Sequence, residues 1–196
     1  MRLRLLTATA ALAVAFCGST VAQDAARGGS LAAERCAACH GDNGRSQMPE
    51  TPSLAGQHAS FVTLQMILIR EGIRQVPAMA AVTEGMADKD IEDLAAYFAS
   101  LPPGPPDDRP ARDAALYAAG EAVIGPRRCG VCHLPALTGR EQVPRIVGQR
   151  EEYLLRAMTE YRDGQRVGAD AQMNSAMVGI SNAEIAALAH FLAQHD

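Results

Sequence analysis

The clearest pattern along the chain is helical and occurs twice. Ile91, Leu94, Ala95 and Phe98 recur at i, i+3, i+4 and i+7, as do Ile185, Leu188, Ala189 and Leu192. Each set falls on one face of a helix, which predicts helices over 88–100 and 182–194. Asp88 and Ser181 stand where an N-cap oxygen is expected. Earlier in each half, residues 58–71 and 150–163 read as a middle helix, and a further helical segment leads into a cysteine-containing string. Apolar and polar positions nowhere alternate with the period of two that marks a half-buried strand, so the expected fold class is all-α.

Between the halves, Pro102, Pro103, Pro105 and Pro106 fall within five residues and remove the backbone donors a helix needs. Residues 102–110 are therefore expected to be a semi-rigid linker between a first domain, 23–101, and a second, 111–196. The two flanks repeat each other. Pro52-Ser53-Leu54-Ala55-Gly56-Gln57 matches Pro144-Arg145-Ile146-Val147-Gly148-Gln149, and Phe61, Met66, Gly72 and Arg74 return 92 positions later as Tyr153, Met158, Gly164 and Arg166. Such a constant offset predicts two structural copies.

Ahead of the first copy, Arg2 and Arg4 precede an apolar run from Leu5 to Phe16 and small residues around Ala22. That order reads as a secretory signal peptide over 1–22, with a retained membrane anchor as the alternative. Losing Arg2 and Arg4 with it takes the formal charge from −4 to −6. The acidic balance argues against nucleic acid as a partner. Export also removes Cys17, leaving four cysteines, all in two Cys-x-x-Cys-His strings: Cys36, Cys39, His40 and Cys129, Cys132, His133. No cysteine is left for a structural disulfide, and with no tryptophan and few aromatics each half has a thin core that a large apolar cofactor would fill.

The strings themselves supply that cofactor. Two thiols one helical turn apart can each add to a haem vinyl group while the adjacent histidine reaches the iron. A thioredoxin-like redox pair would belong beside a βαβ pattern, which is missing here. A four-cysteine zinc site would have to draw thiolates from both halves and leave both histidines idle. Two haem c groups, attached through Cys36, Cys39, Cys129 and Cys132 with His40 and His133 as proximal ligands, are the expected reading.

For the opposite face of each iron the loop after the middle helix offers Met79 and Met86 in the first half and Met173 and Met177 in the second. Met79 lies twelve residues before Ile91 and Met173 twelve before Ile185, whereas Met86 and Met177 do not correspond. Met79 and Met173 are therefore the expected axial ligands. Met66 and Met158 read as packing residues, and Met48 has no assigned role. The carbonyls of Pro52 and Pro144 could accept the imidazole Nδ1 protons. Arg70, Arg74, Arg162 and Arg166 could meet haem propionates. His58, His190 and His195 are expected at the surface, with His58 as a substitute ligand should Met79 fail.

Cys36-x-x-Cys39-His40-Gly41-x-x-Gly44, the two Pro-x-Leu/Ile-x-Gly-Gln strings and Asp90-Ile91-x-x-Leu94-Ala95-x-Tyr97-Phe98 together resemble the periplasmic dihaem cytochromes of the c-four type, from about Gly28 to Leu192. The resemblance implies two tandem class I cytochrome c domains related by a pseudo-twofold axis, with His-Met iron in both. It also implies periplasmic one-electron transfer between membrane cytochrome complexes and a terminal oxidase or reductase. The second motif departs from the family in having Leu134 where glycine is usual. Cytochrome subunits of flavin-containing sulfide dehydrogenases look similar, so a dihaem cytochrome subunit of a dehydrogenase complex such as a flavocytochrome is the alternative function. On either reading the chain is an electron-transfer protein with redox-protein partners, no small-molecule substrate, no catalytic residues of its own, and room for a loose membrane association. A dihaem peroxidase would need one displaceable iron ligand, which the matched methionines oppose.

Overall fold

The computed structural model describes residues 23–166 and 171–195; the expected signal peptide lies outside them. Each half runs through five helices in the same order. The first contains α1 (Ala25–Arg35), α2 (Ala37–His40), α3 (Ala59–Arg70), α4 (Pro77–Thr83) and α5 (Asp88–Ser100). The second contains α6 (Ala114–Ile124), α7 (Cys129–His133), α8 (Glu151–Arg162), α9 (Ala171–Ala176) and α10 (Asn182–Gln194). Among the described residues the only β pairing is an isolated bridge between Arg140 and Val143.

Each core forms where the last helix of a half meets its middle helix, and both are built on the apolar faces read from the sequence. Ile91, Leu94, Ala95 and Phe98 pack with Val62 and Met66 in the first; Ile185, Leu188, Ala189 and Leu192 pack with Leu154 and Met158 in the second. The first helix of each half crosses the last so closely that only glycine fits. A Cβ on Gly28 would lie 1.9 Å from the carbonyl oxygen of Asp93, and one on Gly120 would lie 2.2 Å from that of Ala187. Asp24 and Asp113 cap α1 and α6 by accepting two backbone N–H groups each. The cap residues are in turn held by a buried polar group of the last helix. The Asp24 N–H donates to Asp93 at 2.7 Å, and the Asp113 N–H donates to His190 Nε2 at 2.9 Å.

Two sequence expectations change. The α5 cap is Ala87, not Asp88, and Asp90 accepts its N–H at 3.3 Å; Ser181 does cap α10, in a reciprocal box with Glu184. His190 is buried, not superficial, with Nδ1 at 3.0 Å from Glu151, and His195 bonds the Tyr117 hydroxyl at 2.9 Å.

The linker lies along the seam between the halves. Pro103 stacks over Gly56, the Arg45 guanidinium covers Gly104, and Asp108 pairs with Arg150 at 2.8 Å. Across that seam the contacts come in pairs. Gln57 accepts from the Arg145 N–H at 3.1 Å and donates to its carbonyl at 2.6 Å; Gln149, its repeat counterpart, does the same to Ser53 at 2.7 and 2.9 Å. Arg150 donates to the Ser46 carbonyl at 2.9 Å, and His58, at the matching position, lies at 2.9 Å from the carbonyl of Thr138, 92 residues after Ser46. His58 is therefore an interdomain contact. Reciprocity of this kind is the signature of a twofold relation, here between two halves of one chain.

Candidate haem-attachment sites

Both cysteine strings fold as a single helical turn. In the first, Cys36 and Cys39 are separated by one turn at the end of α1 and through α2, with Cys36 buried and Cys39 exposed. In the second, α7 carries Cys129, half-buried, and Cys132, exposed. An i, i+3 spacing puts both sulfurs of a string on one side of the turn. Burial pushes the Cys36 thiol up to about 11 and raises that of Cys129 as well. Thiol exchange needs the opposite, a stabilised thiolate, so the environment disfavours the redox-pair reading. Among the described residues no group of three His, Cys, Asp or Glu converges to hold a metal ion, so the four thiols do not gather into a zinc site.

The two histidines are held alike. His40 Nδ1 lies 2.8 Å from the carbonyl oxygen of Pro52, and His133 Nδ1 lies 2.9 Å from that of Pro144. A carbonyl only accepts, so Nδ1 carries the proton and the Nε2 lone pair points from the opposite edge of the ring. Burial lowers the His40 pKa, and the Pro52 contact offsets this only in part. The imidazole is thus a neutral, oriented donor, as metal-ligating histidines are. The backbone that brings each proline carbonyl into place is a tight loop with positive φ at Gly41 and Gly44. In the second half Leu134 and Leu137 take these conformations, at φ 66° and 56°. Leu134 replaces the usual glycine at the cost of a backbone region that side chains rarely enter.

The methionines separate by burial. Met86 and Met177 are 4% and 5% exposed and belong to the two cores, whereas Met79 on α4 and Met173 on α9 are half-buried. The repeat explains the difference. In the register that pairs Met79 with Met173, Met177 pairs with the buried Thr83 and Met86 with the buried Ile180, while Gly85 and Gly179 share φ values of 70° and 71°. Met86 and Met177 thus fill core positions that the other half gives to a non-ligand. Met66 and Met158 are also core, and Met48 is exposed.

The four arginines divide into two pairs. Arg70 pairs with Asp88 at 2.8 Å and donates to the Met86 carbonyl, and Arg162 donates to Asn182 at 2.5 Å, so both tie a middle helix to the start of a last helix. Arg74 and Arg166 instead converge on Tyr153, with Arg166 Nη2 at 3.2 Å from its hydroxyl. Burial works against ionisation of Tyr153, yet the two guanidiniums hold its phenol down at about 8. Arg166 is buried, and its Nε and Nη1 have no hydrogen-bond partner among the described residues.

The donor set fits a covalently held haem: paired thiols on one turn, an oriented imidazole, a half-buried thioether and buried guanidinium donors suited to propionate carboxylates. Sequence reasoning missed the seam residues Gln57, Gln149, Arg150 and Tyr153. Their only signal was that both glutamines and Tyr153 belong to the repeat, where they served as markers of duplication and not as contacts.

The chain is similar to known proteins along both halves. A family model described as cytochrome c oxidase, cbb3-type, subunit III matches residues 23–98, and one described as cytochrome c matches residues 117–196. Cytochrome c4 of Pseudomonas aeruginosa is 36% identical over 178 residues, covering 87% of this chain and 88% of that protein. The crystal structure of reduced recombinant cytochrome c4 from Pseudomonas stutzeri superposes with a TM-score of 0.81 at 30% identity, over 89% of this chain and 100% of the other. A thiosulfate dehydrogenase electron acceptor of Thiomonas intermedia is 29% identical, covering 82% of this chain and 78% of its own length.

Proposed function

The chain belongs to the cytochrome c4 family, and from that membership we propose that it is exported to the periplasm and carries single electrons between membrane cytochrome complexes and a terminal oxidase or reductase. It is an all-α protein of two tandem cytochrome c domains with two covalently bound haem c groups, and it is an electron-transfer protein, not an enzyme. When bound, each haem supplies a reversible one-electron ferric/ferrous couple.

The chain's own residues then have defined tasks. Cys36, Cys39, Cys129 and Cys132 anchor the two groups by thioether bonds. His40 and His133 ligate through Nε2, with Pro52 and Pro144 fixing ring orientation and basicity. Met79 and Met173 would supply a thioether ligand to each iron, which would raise its potential relative to ligation by two imidazoles. Arg74 and Arg166, which meet at Tyr153 from the two domains, would hold propionate carboxylates. Export through residues 1–22 supplies the compartment; among the described residues no helix is long and apolar enough to cross a membrane. The domain limits 23–101 and 111–196, with the linker between them, are part of the same reading.

The observation that carries the ligand assignment is that Met86 and Met177 are fully buried in the cores while Met79 and Met173, which correspond across the repeat, are only half-buried. The test is the visible spectrum of the mature holoprotein with a pyridine haemochrome count. Two haems are expected per chain, with a weak thioether-iron band at the red end of the oxidised spectrum that disappears when Met79 and Met173 are both changed to alanine. Survival of that band in the double variant would remove the methionine assignment. A second reading, a permanent cytochrome subunit of a dehydrogenase, draws support from the thiosulfate dehydrogenase electron acceptor among the relatives. Co-purification with a catalytic partner in fixed ratio from the native source is the result that favours it.

A further inference from the structure

The repeat lets the same surface be compared in the two domains, around each cysteine turn and the segment that follows each axial methionine. In the first domain this surface carries Glu34, Arg35, Ala38, Asp42 and Glu84; in the second the matched positions are Arg127, Arg128, Val131, Pro135 and Val178. Val131 is 60% exposed and Val178 is 70% exposed, the two most exposed large apolar side chains among the described residues. Arg127 holds the two segments together, donating to the carbonyl of Val178 at 2.9 Å and to that of Ala176 at 3.4 Å. Its other terminal nitrogen lies 3.9 Å from Glu184, which leaves the exposed Arg128 to set the local sign. In the first domain Glu34 and Arg35 lie 4.0 Å apart, and the exposed Asp42 and Glu84 leave that face acidic. One face is therefore apolar with a basic edge and its copy is polar and acidic. Scattered exposed valines mean little, but two on adjoining segments, absent from the copy, mark a surface under a different demand.

We propose that the second domain docks its electron-transfer partner through Val131, Pro135, Val178 and Arg128, and that this partner is a redox protein with an apolar contact face and an acidic rim. The proposal rests on the carrier reading above. Val131 lies between the two attachment cysteines, so a partner seated on it approaches the covalently attached edge of the second haem. The apolar centre supplies contact area and the arginine steers approach, the division of labour found in weak, fast complexes. The acidic face of the first domain repels the same partner, so the domains are not interchangeable as entry points.

The test uses the holoprotein and photoreduced flavodoxin, an acidic one-electron donor, in stopped-flow mixing. One electron leaves the anionic flavin hydroquinone, which becomes the neutral semiquinone, and converts one ferric haem to ferrous. The second-order rate constant is expected to fall steeply as ionic strength rises. Arg128→Glu with Val131→Glu is expected to lower it at least tenfold at low salt, Val178→Glu alone severalfold, and Asp42→Asn in the first domain less than twofold. Rates for the second-domain variants within twofold of the parent, or a rate that rises with salt, would overturn the docking proposal. Dithionite reduction of the same samples separates the two readings. Full reduction of two haems with an unaltered spectrum keeps the carrier reading whatever the flavodoxin rates show, and fewer than two reducible haems in the parent protein overturns both.

Discussion

Met86 and Ile180 fill the same core position in the two halves, 4% and 3% exposed, each immediately before the cap of the last helix. A side chain that isoleucine can replace is there for its volume and not for its sulfur. Met86→Ile is therefore expected to leave the spectrum of the holoprotein unchanged and to alter stability by less than about 1.5 kcal/mol, as near-isosteric core exchanges do. Loss of the thioether-iron band in this variant would reassign the ligand of the first domain.

Two side-chain amides at the seam each clasp the backbone of the opposite domain. Each bond contributes on the order of 1 kcal/mol net, and truncation leaves the buried backbone groups unsatisfied. Gln57→Ala combined with Gln149→Ala is expected to lower the calorimetric midpoint by several degrees and to resolve one unfolding transition into two. A single transition at an unchanged midpoint would mean that the remaining contacts, those of Arg150, His58 and the linker among them, suffice to join the domains.

Leu134 stands at φ 66° and ψ 160°, where Gly41 in the first half stands at φ 80° and ψ 151°. The region costs a side-chain-bearing residue about 1–3 kcal/mol, part of which Leu134 recovers by half-burial. Leu134→Gly is expected to stabilise the protein by about 1 kcal/mol in urea denaturation, after allowing for the greater freedom glycine has when unfolded. Gly41→Ala should destabilise it clearly, because the added Cβ would lie 2.2 Å from the Arg45 carbonyl oxygen.

Asp93 supplies the pH dependence. Burial pushes its carboxyl up, but the Asp24 N–H, Lys89 and Arg27 together hold it at about 2, below the ordinary carboxylate value near 3.9. A depressed native pKa means that the unfolded chain takes up the proton first as pH falls. The contribution is thus complete above about pH 4 and is lost as pH falls toward 2. Asp93→Asn should lower Tm at pH 6, and the gap from the parent should shrink between pH 4 and pH 2. A gap independent of pH would show that Asp93 acts through its shape and not its charge.

By itself the sequence determined the all-α class, the duplication and the chemistry of the attachment turns. These are encoded locally, in the 3.6-residue spacing of Ile91 to Phe98 and Ile185 to Leu192 and in a three-residue separation of thiols that one turn of helix enforces. It also ranked Met79 and Met173 above their neighbours, because a shared offset survives without knowing where anything packs. Tertiary structure alone decided why Met86 and Met177 differ from them, since a core position is defined by what surrounds it. It likewise divided Arg70 and Arg162 from Arg74 and Arg166, moved His58 to the seam and His190 to the interior, and laid the proline-rich segment along the interface. Such outcomes depend on partners on other elements, such as Thr138, 80 residues from His58, or Glu151, 39 residues from His190. Periodicity records which face of an element is apolar, but it carries no record of which polar group waits on the other side.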